Sequence, residues 1–348
     1  MLLTGAAGYI GSHVCYELIR KFANIKDLVI VDNFSNSDRT NIEKLENLEK
    51  GADINFYDVD VCDIENLENI FRNYEFTTVI HFAAYKSVEE SVKYPLKYYE
   101  NNIVGLLNIL KCMTKYNVKN LIFSSSATVY GNPKKSELPL TELSLTTMPI
   151  NPYGKTKLFC EEICKDFKNI NTISLRYFNP VGNILSDTSK NVFNLFPLIL
   201  QVIKGERENI YVYGDDYDTK DGSAVRDYVH IQDLARGHIS ALDYFKFMTN
   251  TKDNSTNTTN TKDNSTNTTN NNTNNFEIFN LGTGKGYSVF EIISEFEKQT
   301  GKSIKYIVTD RRCGDAESVC ADSSKAKELL NWKTELNLSD MVRDTLNL

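Results

Sequence analysis

Thr4-Gly5-Ala6-Ala7-Gly8-Tyr9-Ile10-Gly11 is the stretch that decides the fold. It follows the short apolar run Met1-Leu2-Leu3 and opens a helix-period segment from Ile10 to Phe22. Its glycines therefore fall where the backbone turns tightly, and the helix N–H groups that follow can face anionic oxygens. The spacing is G-x-x-G-x-x-G rather than the G-x-G-x-x-G of the dinucleotide fingerprint, although bare backbone and helix dipole act alike in both. By itself such a turn also serves as a plain connection from strand to helix. The next apolar run narrows the reading: Leu28-Val29-Ile30-Val31-Asp32 ends in a carboxylate about 20 residues beyond the turn, where an acid accepts the ribose hydroxyls of NAD. Asn33-Phe34-Ser35 supplies no adjacent arginine for a 2′-phosphate, so NAD is expected over NADP. Asp60, after the third strand, either faces the adenine edge or is a solvated strand-end carboxylate.

Outward from this turn, β-branched runs alternate with helix-period segments. Expected strands are Met1 to Thr4, Leu28 to Val31, Ile54 to Phe56, Thr78 to His81, Leu121 to Ser124 and Thr172 to Arg176. Helices are expected near Ile10 to Phe22, Ile64 to Tyr74, Pro95 to Tyr116 and Pro152 to Phe167. That pattern predicts an α/β fold, a Rossmann-like doubly wound parallel sheet, followed by a smaller α+β region. The first unit is expected over 1–178, rejoined by 230–248 and 276–282, and the second over 179–229 and 283–348. Thr251 to Asn260 (TKDNSTNTTN) is repeated identically at Thr261 to Asn270. With no apolar residue to bury, 249–275 is expected to be a disordered insertion between a helix ending near Phe247 and a strand at Phe276 to Leu281.

Composition narrows the function. Among 348 residues, 39 Lys and Arg stand against 46 Asp and Glu, a net charge of −7, which opposes nucleic acid or an anionic membrane as partner. The longest apolar run, Leu195 to Ile203, is interrupted by Pro197 and Gln201 and is too short to span a bilayer. Seven scattered cysteines without C-x-x-C spacing, and no basic, apolar leader before the first strand, predict reduced thiols and a cytoplasmic location. Four histidines without ligand spacing predict no catalytic metal.

Tyr153 and Lys157 stand four residues apart on the helix that begins at Pro152, hence on one face. A phenol is almost fully protonated at neutral pH, but an ammonium and a nicotinamide cation nearby favour the phenolate, a general base. Y-x-x-x-K is weak alone. Its place in the order gives it weight: glycine turn, acidic strand end, Ser124-Ser125-Ser126 at the carboxyl edge of the fifth strand, then the Tyr-Lys helix.

In this order the chain resembles the extended short-chain dehydrogenase/reductase family and, within it, the UDP-glucose 4-epimerase branch. The resemblance spans nearly the whole chain. It rests on TGAAGYIGSH (Thr4 to His13), VDNFSNS (Val31 to Ser37), HFAAYKSVEES (His81 to Ser91), YYENN (Tyr98 to Asn102) and SSSATVYG (Ser124 to Gly131). It continues through NPYGKTK (Asn151 to Lys157), RYFNPVG (Arg176 to Gly182), VRDYVH (Val225 to His230) and RRCGD (Arg311 to Asp315).

The resemblance implies interconversion of UDP-galactose and UDP-glucose by inversion at C4 through a transient 4-keto sugar, a step of galactose and nucleotide-sugar metabolism. It implies Tyr153 as base, Ser126 as donor to the developing oxygen, and Lys157 holding the nicotinamide ribose and lowering the tyrosine pKa. The expected NAD site comprises Gly5, Gly8, Tyr9, Ile10, Gly11, Asp32, Asn33, Asp60, Val61, Phe82, Ala83, Lys86, Asn101, Tyr153, Lys157 and Phe178. The expected UDP-hexose site comprises Ser126, Asn179, Asn194, Tyr213, Arg226, Arg312 and Asp315, two guanidiniums suiting a diphosphate. A homodimer is implied, with the helices near Pro95 to Tyr116 and Pro152 to Phe167 packed into a four-helix bundle.

A nucleotide-sugar 4,6-dehydratase shares the C4 oxidation, but relatives doing that carry Asp-Glu after the fifth strand, where this chain has Ala127-Thr128. A non-catalytic NAD-binding protein could discard Tyr153 or Lys157, and both are present. Val319 stands where relatives carry an aromatic or small residue gating the sugar pocket, so N-acetylhexosamines are expected to be accepted as well. The run Met1-Leu2-Leu3 before Thr4 is shorter than the family's start. Either the N-terminus is clipped or a central strand is unusually short.

Overall fold

Runs of Val, Ile and Leu that read as apolar on both faces build a sheet that must be covered on both faces. The computed structural model describes residues 1–22, 28–48, 54–145, 149–185, 194–256 (249–256 as backbone only), 275–312 and 315–347. In chain order the elements begin β1 (Leu2–Thr4), α1 (Tyr9–Lys21), β2 (Leu28–Asp32), α2 (Thr40–Glu46), β3 (Ile54–Asp58), α3 (Ile64–Asn73) and β4 (Thr78–His81). Next come α4 (Val88–Lys93), α5 (Pro95–Lys115), β5 (Asn120–Ser126), α6 (Pro152–Asp166), β6 (Asn171–Tyr177), β7 (Asn179–Val181), α7 (Leu195–Lys204) and β8 (Ile210–Tyr213). The chain ends with β9 (Val225–His230), α8 (Ile231–Thr256), β10 (Phe276–Leu281), β11 (Gly286–Ser288), α9 (Val289–Thr300), β12 (Tyr306–Thr309), β13 (Ser318–Val319), α10 (Ser324–Leu329) and α11 (Leu338–Leu346).

Seven strands form one parallel sheet in the order β10-β6-β5-β4-β1-β2-β3. Because successive strand residues point to opposite faces, β1 sends Leu3 to one core and Leu2 to the other. Leu3, Ile30, Ile80 and Ile122 pack with Val14 and Leu18 of α1 and Leu234 and Ile239 of α8. Leu2, Val29, Val79 and Leu121 pack with Leu67 of α3, Leu106 and Ile109 of α5 and Cys160 of α6. A third cluster, with Phe196 and Ile199 of α7, Ile292 and Phe296 of α9 and Met341 of α11, covers two smaller sheets. In these, β9 pairs with β11, β13 and β7, and β8 pairs with β12.

The doubly wound sheet with a smaller α+β part stands as the sequence predicts, and the differences lie at element ends. β2 continues through Asp32 and β5 through Ser126, since polar strand ends still pair, as Asp32 with Asp58 and Ser126 with Tyr177. Helices α2 and α4 were not expected. α8 runs to Thr256, past the expected end near Phe247, in a stretch without glycine or proline to interrupt propagation. The rest of the expected insertion at 249–275 lies outside the described residues, apart from Asn275. Pro197 sits in the first turn of α7, where its missing N–H costs no helical bond. Among the described residues no helix is long and apolar enough to cross a membrane.

Candidate functional site

β1 has β2 on one side and β4 on the other, so the glycine turn opens where the strand order reverses, the place such sheets take ligands. The three glycines differ in what they do. Gly5 has φ +70°, and a Cβ there would meet Ala83 N, beyond β4, at 2.5 Å. At Gly11 a Cβ would meet Ala6 Cα at 2.6 Å. Both are therefore required by close backbone packing. At Gly8, among the described residues, a Cβ would meet only the Gly5 carbonyl oxygen, at 3.3 Å, and would otherwise fill the cavity that Gly8 lines.

That cavity, about 280 Å³, is walled by every residue expected to hold the cofactor, from Gly5, Tyr9 and Ile10 through Val61, Phe82 and Lys86 to Asn101 and Phe178. Asp32 is buried at its rim, accepting hydrogen bonds from Ala7 N (3.0 Å), Phe34 N (3.0 Å) and Ser37 Oγ (3.0 Å). Burial holds its carboxyl above the usual range, and these bonds oppose that shift. Three acceptor sites of about four are thus used, leaving one for a ribose hydroxyl. Asp60 accepts from Asn33 Nδ2 (2.8 Å) and Cys62 N (2.7 Å), so it is a fixed member of the wall and not a solvated strand end. Arg39 lies over the Phe56 ring, 5.4 Å from its centroid. A bare glycine facing the cavity, a buried carboxylate with spare acceptor capacity and a helix N-terminus together fit a dinucleotide.

Asn151 starts α6 by accepting from Gly154 N (2.8 Å), with Pro152 in the first turn, and this brings Tyr153 and Lys157 to the cavity beside β5. Ser126 Oγ accepts from Thr128 N (3.2 Å) and Thr128 Oγ1 (3.0 Å), which leaves its own proton to be donated into the cavity. Lys157 Nζ donates to the Ser124 carbonyl (2.6 Å) and lies 5.9 Å from the Tyr153 ring centroid. Burial pushes the Tyr153 phenol up to about 12, with the neighbouring Ser126 hydroxyl pulling it partly back. Burial also pushes Lys157 down to about 8, with the neighbouring Cys160 and Glu161 pulling it partly back. In the protein by itself burial is thus the larger influence on the Tyr153 phenol, which lies above its ordinary value.

A second cavity of about 350 Å³ continues from the first through shared walls at Tyr85, Lys86, Ala127, Thr128, Asn179 and Asn194. Arg226, Arg312 and Asp315 line its far end. Asp315 takes Arg312 Nη2 at 2.9 Å and Arg226 Nη2 at 3.6 Å, and so holds two guanidiniums side by side. Arg226 is steadied further by donating to the Val225 carbonyl (2.8 Å). Of the residues expected here, Tyr213 alone lines neither cavity; the Arg312 guanidinium lies 4.9 Å from its ring centroid, so Tyr213 supports the site through that arginine. Cys313 and Gly314 of the same motif lie outside the described residues.

Sequence reasoning passed over Tyr85 and Val88, which line both cavities, and weighed Thr128, which lines both as well, only against a dehydratase. Tyr85 N donates to Asn102 Oδ1 (2.9 Å), and Asn102 Nδ2 donates to Thr156 Oγ1 (3.0 Å), so this loop is tied to α5 and α6. The signal was in Ser87-Val88-Glu89-Glu90, whose S-x-x-E pattern caps α4: Ser87 accepts from Glu90 N. Among the described residues no cluster of His, Cys, Asp and Glu could hold a metal ion.

The sequence profile of the GDP-mannose 4,6 dehydratase family matches residues 2–345. UDP-glucose 4-epimerase 2 of Arabidopsis thaliana is 44% identical over 358 residues, covering 100% of this chain and 94% of the relative. The UDP-glucose 4-epimerase of Bacillus subtilis is 41% identical, covering 99% and 95%. Among solved structures, the UDP-glucose 4-epimerase of Bifidobacterium longum in complex with NAD+ and UDP superposes with a TM-score of 0.86 at 42% identity, covering 99% of this chain and 96% of that one.

Proposed function

The chain belongs to the UDP-glucose 4-epimerases, within the wider family of the GDP-mannose 4,6 dehydratase profile, and from that premise we propose how its site interconverts UDP-galactose and UDP-glucose. The observation that carries the reading is the convergence of Tyr153, Lys157 and Ser126 on the first cavity, Ser126 standing next in sequence to Ala127 and Thr128 of the wall that cavity shares with the second. Bound NAD supplies a hydride acceptor for C4 of the hexose and, once reduced, the donor that restores it on the opposite face. Tyr153 as phenolate removes the C4 hydroxyl proton and later returns it to the 4-keto oxygen, so no external reductant is consumed. Its burial opposes the phenolate, and the positive charges of Lys157 and of an oxidised nicotinamide oppose that penalty. Ser126 directs its hydroxyl proton at the C4 oxygen as charge develops there. Lys157, fixed by Ser124, keeps N–H donors for the nicotinamide ribose. Arg226 and Arg312 hold the diphosphate in forked contacts while the keto sugar turns.

Elimination of water would require a second acid/base pair beside Ser126. The residues following it are Ala127 and Thr128, and the Thr128 hydroxyl is engaged with Ser126. The family profile's dehydratase name thus marks the shared C4 oxidation.

The Rossmann-like unit, 1–178 with 230–248 and 276–282, carries NAD in this reading, and 179–229 with 283–348 carries the UDP-sugar. The enzyme works in the cytoplasm as a homodimer joined through α5 and α6, and it also takes UDP-GalNAc and UDP-GlcNAc. The test is proton NMR of UDP-galactose incubated with purified protein without added reductant. UDP-glucose is expected, with loss of about 10²-fold or more in Tyr153→Phe. A 4-keto-6-deoxy product would move the assignment to a dehydratase, and no conversion despite bound NAD would leave a binding role.

A further inference from the structure

One turn beyond Lys157 on α6, Glu161 is fully buried beneath the catalytic face. Its Oε1 accepts from Ser125 Oγ of β5 (2.6 Å), Ser174 Oγ of β6 (2.8 Å) and Arg176 Nε of β6 (3.0 Å), and its Oε2 accepts from Arg176 Nη2 (2.6 Å). Ser125 and Arg176 lie directly opposite each other in the β5–β6 register. One carboxylate therefore gathers both strands onto the helix. The Arg176 guanidinium, 2% exposed, is backed by the Tyr130 ring with its centroid 4.8 Å away. Ser125 is the member of this cluster that reaches the cavity, between Ser124, whose carbonyl takes Lys157, and Ser126, the donor to substrate.

We propose that Glu161 is a positioning residue for the epimerisation, locking α6 to β5 and β6 so that Tyr153 and Lys157 keep their places over Ser124 and Ser126. Tyr153, Lys157 and Glu161 recur at i, i+4 and i+8, one helix face, so a shift of the carboxylate anchor moves both catalytic side chains together. Glu161 also acts by charge. The titratable groups facing Lys157 among the described residues are Tyr153, Cys160 and Glu161 of its own helix and His81 of β4. Burial pushes the Cys160 thiol up to about 12 and His81 down to about 3, so both are neutral at pH 7, and Glu161, itself paired with Arg176 of β6, is the charged group that opposes the loss of the Lys157 proton.

The inference rests on the epimerase reading, and unaltered protein in the same assay separates the two. The experiment is Glu161→Gln in NAD-loaded enzyme, following kcat, KM for UDP-galactose and the pH profile of kcat, with folding checked by circular dichroism. Expected are a fall in kcat of about 10- to 100-fold with KM changed less than about 3-fold, and an alkaline limb moved to lower pH. Should Glu161→Gln not fold, Ser125→Ala, which leaves the ion pair intact, decides: a fall in kcat of about 3-fold or more at unchanged melting temperature is expected. Unaltered kcat and pH profile in whichever variant folds overturn the proposal. No conversion by the unaltered enzyme overturns the epimerase reading instead.

Discussion

Val319 illustrates what one side chain decides at this site. It lies on β13 opposite Arg226 of β9 and lines the second cavity beside that arginine. Its short branched side chain, with Ala316 in the same wall, is the basis for expecting that an N-acetyl group at C2 is accommodated. UDP-GlcNAc is expected to be turned over alongside UDP-galactose. Val319→Tyr should lower kcat/KM for UDP-GlcNAc by about 10-fold or more while changing that for UDP-galactose less than about 3-fold, since a phenol ring would occupy the acetyl space. Steady-state assays with both sugars check this, and equal losses on both would remove Val319 as the gate. Tyr153, Lys157 and Asp32 were legible in the sequence because each carries chemistry at the end of a recognisable strand or on one helix face. Glu161 was not, because its role depends on Ser125, Ser174 and Arg176 meeting across a strand register that no local pattern encodes. Tyr213 shows the converse: the resemblance implied a direct contact, whereas the fold sets it behind Arg312.

At the scale of elements, the junction of β1, the glycine turn and α1 separates folding from binding. Gly5 has a positive φ and no space before Ala83 N, whereas Gly8, at φ −72°, has an ordinary backbone conformation and space on the cavity side. Gly5→Ala should therefore push the turn away from β4, reducing both the melting temperature of the NAD-stripped protein and its NAD content, the strain alone costing about 1–2 kcal/mol. Gly8→Ala should leave the stripped protein's melting temperature nearly unchanged yet reduce NAD retention by about 10-fold or more, because its methyl group takes the place of the pyrophosphate. Cofactor released from purified protein, read by absorbance alongside thermal unfolding, checks both. A Gly8→Ala protein that keeps its NAD would show that the pyrophosphate lies elsewhere. The strand and helix cores were legible because hydrophobic period is a local property, and the ends were not. β5 extends through three serines because β6 pairs with them, a long-range cause. Helix α4 needed the Ser87 cap to be seen, since its six residues are too few for a periodic pattern.

At the scale of the whole molecule, the site opens along the carboxyl edge of the sheet, and the outer faces of α5 and α6 stand apart from it with apolar side chains toward solvent. Leu96 is 71% exposed and Phe159 46%, while Tyr99 stacks on Phe159 with ring centroids 6.3 Å apart. Val104 of α5 is exposed as well. A run of such residues along two packed helices is costly in water and suits a second copy laying its own α5 and α6 across them, each large side chain so covered contributing about 1.5–3 kcal/mol. The unaltered chain should therefore have a solution mass about twice its 39.6 kDa. Leu96→Asp combined with Phe159→Asp, placing two charges per copy in that contact, should yield the single-chain mass. Because neither residue lines the cavities, the monomer should still retain NAD. Light scattering coupled to size exclusion, with cofactor content measured on the same peak, reads both quantities. A monomeric unaltered chain would dismiss the dimer. A double variant that stays dimeric would place the interface on another face, and α5 and α6 would then need a different account of their exposed side chains.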